Sequence, residues 1–176
     1  MNLYLIGYRG SGKSTVGLQV AKMLEWPFLD TDREIEALTS QTIRQIFEQD
    51  GEPVFREWER TVIQAVGMRD RVVISLGGGA ILDPANCQTL NATGWTVWLE
   101  APAALLYSRT QQDPQSTETR PSLSQDDGLT EVENILQQRR DLYAACADYT
   151  VEIHELPPHE IAERIVNQWR SVDIHS

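Results

Sequence analysis

The chain reads as an α/β domain built on a mostly parallel sheet of about five strands. Short apolar runs of strand length recur along the 176 residues, amphipathic helical patterns separate most of them, and a glycine-rich turn joins the first run to the first helix. That length suits one well-buried core and is short for two ordinary domains, so a single domain spanning residues 1–176, with insertions, is expected.

The elements follow in chain order. Leu3-Tyr4-Leu5-Ile6 is an apolar run ending at Gly7, the pattern of a buried parallel strand. From Ser14, the residues Val16, Val20, Met23 and Leu24 keep helical spacing until Trp26-Pro27 stops them. Phe28-Leu29 leads into Asp30-Thr31-Asp32, read as a short strand whose C-terminal end delivers two carboxylates to one side. Thr31 followed by Glu34 reads as a capping box that starts a helix there. A helical pattern over Ile43 to Phe47 ends at Asp50-Gly51, and another from about Pro53 places Phe55, Trp58, Val62 and Val66 on one face. Consecutive helices with no strand between them mark an insertion into the alternation.

Val72 to Ile74 and Trp95 to Leu99 are the next strands, separated by a helix with Asp83 as N-cap and Pro84 as first helical residue. After a helix ending near Arg109, the stretch from Gln111 to Asp127 is polar, carries Pro114 and Pro121, and has no apolar period; it reads as a disordered loop or an active-site lid. A helix from about Thr130 to Tyr143 then leads to a strand near Tyr149 to Ile153. Pro157-Pro158 opens a last helix with Ile161, Ile165, Val166 and Trp169 on one face. Periodicity does not reveal the order of the strands in the sheet.

The net charge of −11 disfavours polyanionic partners, so neither nucleic acid nor an anionic membrane face is an expected ligand. The N-terminus lacks a basic leader followed by an apolar stretch, and no run approaches membrane-spanning length, which points to a cytoplasmic protein. Cys87 and Cys146 stand far apart in sequence without metal-ligand spacing and are read as reduced thiols. Lys13 and Lys22 are the only lysines, and every other basic side chain is an arginine, whose planar fork suits carboxylates and phosphates.

Gly7-Tyr8-Arg9-Gly10-Ser11-Gly12-Lys13-Ser14 matches G-x-x-x-x-G-K-[ST], and it lies between a strand and a helix as a phosphate-binding P-loop requires. Glycines let the backbone turn so that several N–H groups point at the β- and γ-phosphates of ATP, and the helix adds the positive end of its dipole. Lys13 is the candidate to neutralise charge on the γ-phosphoryl oxygens, and the Ser14 hydroxyl is a candidate Mg²⁺ ligand.

A nucleotide site does not name an acceptor, and three further groups narrow the choice. Asp30 and Asp32 leave the second strand where ligands gather in open parallel sheets; one suits the water shell of Mg²⁺ and the other an acceptor hydroxyl, while helix capping is the plain alternative. Gly77, Gly78 and Gly79 end the third strand and either admit an acceptor to the backbone or simply make a tight turn. Arg56, Arg120 and Arg139 lie on the insertion, the lid and a late helix, each able to face one pocket.

GYRGSGKSTVG, the DTD of Asp30 to Asp32, GEPVFREWE from Gly51 to Glu59, SLGGGA from Ser75 to Ala80, SRT from Ser108 to Thr110, RPSL from Arg120 and RRDLY before the last strand form a series that resembles the shikimate kinases over essentially the full length. The resemblance implies a three-layer P-loop NTPase fold with strand order 2-3-1-4-5, a helical substrate-binding insertion over about 32–61 and a lid over about 111–124. It also implies ATP-dependent phosphorylation of the 3-hydroxyl of shikimate, with Mg²⁺ as cofactor and a monomer as the working unit. Under it, Gly10, Ser11, Gly12, Lys13, Ser14 and Thr15 hold the ATP phosphates, Arg109 and Pro158 flank the adenine, and Arg120 swings in with the lid. Asp32 orients or deprotonates the 3-hydroxyl, while Arg56 and Arg139, the latter beside Arg140, clamp the carboxylate. Gly77, Gly78 and Gly79 offer backbone contacts, and Ser14 and Asp30 serve the metal. Ser40 stands where the family often has glycine.

Gluconate kinases and nucleoside monophosphate kinases on the same scaffold are the nearest rivals. Paired arginines beside a DTD and three glycines suit a small hydroxylated acid better than a planar nucleobase, although gluconate also meets that description. A nucleotide-binding regulator would keep Lys13 and Ser14 but have no use for Asp32 and Arg139 together.

Overall fold

Buried apolar residues on both sides of a strand need cover on both faces, and this chain supplies it with helices. The computed structural model describes residues 1–112, 128–154 and 156–173. Five parallel strands, β1 (Asn2–Ile6), β2 (Phe28–Asp30), β3 (Val73–Ser75), β4 (Gly94–Glu100) and β5 (Tyr149–Glu152), form one sheet in the order β2-β3-β1-β4-β5. The register sets Tyr4 beside Ile74 on one side and Thr96 on the other, so β1 is the central strand.

Alternation along β1 divides the core. Leu3 and Leu5 point to a layer made by α1 (Lys13–Leu24) and α8 (Pro158–Asp173), where Val16, Val20, Ile161, Ile165 and Trp169 are buried. Tyr4 and Ile6 point the opposite way, toward Ile35, Ile46, Phe55, Ile63 and Tyr143. These side chains come from α2 (Thr31–Thr39), α3 (Ile43–Gln49), α4 (Glu52–Gly67) and α7 (Gly128–Cys146). Helices α5 (Pro84–Thr93) and α6 (Ala103–Gln112) and a 3₁₀ turn over Ala80–Leu82 complete the described elements. Each such buried aliphatic side chain contributes about 1.5–3 kcal/mol, which is what holds the segments following β1, β2 and β3 at the sheet's C-terminal edge.

Three local readings need correction. The N-cap of α2 is Asp30, whose carboxylate accepts from the Asp32 N–H at 3.1 Å, so Asp32 is helical and not part of an extended strand. Thr31 is already inside that helix, and its hydroxyl accepts instead from the Gly77 N–H at 3.2 Å. The reciprocal capping box occurs at Thr42 and Gln45, at the start of α3. On α4, Trp58 faces solvent, and the buried position one residue on belongs to Glu59. A carboxylate won over an indole there because Arg56 pairs with it.

Asp83 caps α5 through the Ala85 N–H at 2.9 Å and Pro84 is its first residue, both as the sequence indicates. Cys87 on α5 and Cys146 at the end of α7, distant in sequence, are free thiols packed in one core cluster, and the Cys87 thiol donates to the Ile81 carbonyl at 3.7 Å. The neighbouring thiol lowers the pKa of Cys87, while Cys87 and burial push that of Cys146 up. Among the described residues no helix is long and apolar enough to cross a membrane.

Candidate active site

The phosphate loop joins β1 to α1, and its backbone explains its composition. Gly10 and Gly12 have φ of +79° and +83°, a left-handed region that side chains with a Cβ disfavour, and Gly12 caps α1 without a side chain to block the helix N-terminus. Lys13, the first residue of α1, is buried, and its ammonium donates to the carbonyls of Gly7 at 2.8 Å and Tyr8 at 3.0 Å. The lysine is therefore held against the loop's own backbone. Ser11 is buried within the loop and its N–H reaches the Tyr8 carbonyl, whereas Ser14 and Thr15 are exposed at the helix start.

Beside that helix start, the Ser14 hydroxyl donates to the Asp30 carboxylate at 2.7 Å and lies 3.4 Å from the Ser75 hydroxyl. Strands β1, β2 and β3 end together, and this is why three separate segments place oxygens at one spot. Among the described residues no group of three histidines, cysteines or carboxylates is arranged as a metal cage. A sparse set of hard oxygens next to a phosphate loop suits Mg²⁺, which keeps several waters and takes phosphate oxygens as ligands.

The residues expected to meet the acceptor gather at the glycine loop after β3. A Cβ on Gly77 would fall 2.8 Å from the Asp32 carboxylate and 2.9 Å from that of Glu59. One on Gly79 would fall 2.6 and 2.7 Å from the two Nη atoms of Arg56. Gly78, between them, packs against the phosphate loop itself, with the Gly7 carbonyl and the Arg9 backbone nitrogen both 3.4 Å from where its Cβ would lie. Close approach of side chains thus favours glycine at 77 and 79, and the segment is also a tight turn, closed by the Ala80 N–H on the Gly77 carbonyl at 3.0 Å.

Arg56 donates to the buried Glu59 carboxylate at 2.7 Å and to Glu52 at 2.9 Å. Burial works against its charge, but the two glutamates more than offset that and raise its pKa above the usual arginine value. On α7, Arg139 donates to the Gly78 carbonyl at 3.4 Å and the Tyr143 hydroxyl to the same oxygen at 2.6 Å. The Trp98 and Tyr143 rings stack with centroids 5.4 Å apart, which fastens that helix to β4. Arg140 points elsewhere, pairing with Glu100 at 3.1 Å in an exposed position. Of the two neighbouring arginines, Arg139 is the one brought to the glycine loop.

Arg109 on α6 sits against the phosphate loop, its Cβ 3.6 Å from where a Gly10 Cβ would lie. Pro158 begins α8 at the same C-terminal edge of the sheet and is exposed. Arg120, and the expected lid from residue 113 onward, lie outside the described residues. Sequence reading missed Glu59, Tyr143 and Ser75. The first two carried a faint signal, falling one helical turn beyond Arg56 and Arg139; Ser75 carried none.

Comparison with known proteins bears on the acceptor. The model of the shikimate kinase family matches residues 9–170. A curated shikimate kinase of Syntrophus aciditrophicus is 37% identical, with 97% of this chain and 91% of the relative covered. The solved structure of a shikimate kinase from Acinetobacter baumannii in complex with shikimate superposes with a TM-score of 0.90 at 36% identity, covering 97% of this chain and 93% of the other. A gluconokinase from Sinorhizobium meliloti aligns with a TM-score of 0.65 at 18% identity over 97% of this chain and 92% of its own, a likeness of fold alone.

Proposed function

The chain belongs to the shikimate kinase family, and from that premise we propose how its own residues carry ATP-dependent phosphorylation of shikimate. The reaction moves the γ-phosphoryl group of ATP to the 3-hydroxyl of shikimate, giving shikimate 3-phosphate and ADP. The bond from phosphorus to the β-bridging oxygen breaks, a bond to the acceptor oxygen forms, and the hydroxyl proton leaves toward a carboxylate. The observation that carries this reading is the closeness of the glycine loop to the phosphate loop at Gly78, where little more than a methyl group would fit between them.

The backbone N–H groups from Gly10 to Thr15 hold the triphosphate, with Lys13 leaving its carbonyl partners for the γ-phosphoryl oxygens. Mg²⁺, held by the Ser14 hydroxyl and through water by Asp30, would neutralise charge on the β- and γ-phosphates. Asp32, against Gly77, orients the 3-hydroxyl and accepts its proton. Arg56 and Arg139 take the carboxylate of shikimate from two sides of the glycine loop, with Glu59 fixing the first guanidinium and Tyr143 fixing the Gly78 carbonyl. Gly77, Gly78 and Gly79 leave room for the ring to meet the backbone. Arg109 and Pro158 flank the adenine, and Arg120 closes on the phosphates from the lid. Residues 1–176 act as one domain, with the acceptor wall supplied by 32–61 and the lid by 111–124.

A monomer in the cytoplasm is the proposed working unit, as the family resemblance implies. A coupled assay of ADP release with shikimate, gluconate and nucleoside monophosphates tests the reading. Shikimate alone should stimulate release well above the ATP background; stimulation by gluconate or a nucleotide instead would overturn it.

A further inference from the structure

Arg9, the third residue of the phosphate loop, has no part in the scheme above, yet it stands where the two loops meet. Its backbone nitrogen lies against Gly78, whose carbonyl takes the hydrogen bonds of Arg139 and Tyr143. Its guanidinium carbon sits 5.6 Å from the centroid of the Tyr8 ring. Tyr8 is itself buried against Leu106 and Val132, so the ring is a fixed platform that limits where the arginine can swing.

One donor of this side chain is not satisfied by the fold. Its Nε is buried and makes no hydrogen bond, and among the described residues no carboxylate forms an ion pair with Arg9. That is unusual company for an arginine in a chain of net charge −11, where Arg56, Arg60 and Arg140 each pair with an acid. A desolvated donor left without an acceptor is costly, and an incoming anion of matching geometry removes that cost. The anion that comes to this junction is the phosphoryl group in transit.

Resting on the reading of the chain as a shikimate kinase, we propose that Arg9 is a further catalytic residue, contacting the transferring phosphoryl oxygens from the acceptor side while Lys13 holds them from the nucleotide side. As the bond to the β-bridging oxygen breaks and the bond to the acceptor oxygen forms, the three non-bridging oxygens keep their charge and move toward the glycine loop. Lys13 follows the oxygens from the nucleotide side, whereas the backbone of Arg9 lies beside Gly78 on the acceptor side. The guanidinium should therefore remain in contact with the phosphate of the product, shikimate 3-phosphate, and touch shikimate itself little.

Titration calorimetry with shikimate and with shikimate 3-phosphate, on the wild type, Arg9→Gln and Arg9→Lys, tests this, with kcat and thermal melts measured on the same samples. Arg9→Gln should lower kcat by about 30-fold and weaken shikimate 3-phosphate about 10-fold, with the dissociation constant for shikimate changed less than about 2-fold. Arg9→Lys, which keeps the stem and the charge, should fall between Arg9→Gln and the wild type and serves as the readout if the glutamine variant melts early. Equal affinity of wild type and both variants for shikimate 3-phosphate, or equal weakening of both ligands, would overturn the proposal alone. A wild type that does not phosphorylate shikimate would overturn the reading it rests on.

Discussion

The phosphate loop and the acceptor wall face each other across Gly78, but they are made in opposite ways. Eight consecutive residues, Gly7 to Ser14, build the first, and its lysine is positioned by carbonyls five and six residues away. The second is assembled from α2, α4, the glycine loop and α7, with Asp32, Arg56, Gly78 and Arg139 meeting only through tertiary packing. A loop held by its own backbone tolerates change around it, whereas a wall held by ion pairs and close glycine contacts fails when any support is removed. Substitutions in the two regions should therefore separate turnover from acceptor binding and stability.

The largest effect belongs to the loop. Lys13→Ala should cut kcat by about 10³-fold or more, equivalent to roughly 4 kcal/mol of transition-state stabilisation, with an unchanged melting temperature. Substantial turnover in that variant would break the comparison at its strongest point. On the opposite side, Glu59→Gln leaves Arg56 without its buried counter-charge and should cost about 3 kcal/mol of stability, read by urea denaturation. A near-neutral result there would mean that the wall does not depend on the Arg56–Glu59 pair.

Arg139→Ala should raise the KM for shikimate about 30-fold, close to 2 kcal/mol, with the KM for ATP changed less than about 3-fold. Arg140→Ala, which removes an exposed partner of Glu100, should change neither. Equal rises in both KM values for Arg139→Ala would erase the boundary between the two regions.

Smaller effects sharpen the picture of how the wall is held. Asp83 ties the end of the glycine segment to α4 through Arg60 at 2.6 Å and caps α5. Burial tends to raise its pKa, but the Ala85 N–H and Arg60 outweigh that and hold it below the usual 3.8. Its stabilisation is therefore complete above the ordinary carboxylate value and is lost as pH falls through the depressed one. Asp83→Ala should cost about 1 kcal/mol at pH 7, with the gap to wild type closing in acid; a gap independent of pH down to unfolding would exclude the charge. Ser40, at the end of α2, has φ of +55°. Ser40→Gly should relieve that left-handed strain and add about 0.5 kcal/mol of stability, seen as a small rise in melting temperature without a change in kcat.

The same contrast explains what could be read from the sequence. The phosphate loop was legible because its function depends on local backbone geometry, and Gly12 and Lys13 act within a few residues of where they stand. Asp83-Pro84 was legible for the same reason. The roles of Asp32 and Arg139 were reached only through a resemblance spanning the whole chain, since nothing in their own neighbourhoods reports that both meet the glycine loop. Glu59 escaped because helical spacing favoured Trp58 as the buried residue, and only the placement of Arg56 against Gly79 shows why a carboxylate belongs inside. The cap of α2 was displaced by one residue because Asp30 competes with Thr31 for the role, and Thr31 is drawn to the Gly77 N–H of a loop no local window contains.

Direct titration of shikimate into wild-type, Lys13→Ala and Arg139→Ala proteins, without nucleotide, puts the division of labour to its plainest test. Lys13→Ala should bind shikimate within about 2-fold of wild type, while Arg139→Ala should bind it about 30-fold more weakly. Comparable loss in both variants, or full affinity in Arg139→Ala, would contradict an acceptor wall built and held apart from the phosphate loop.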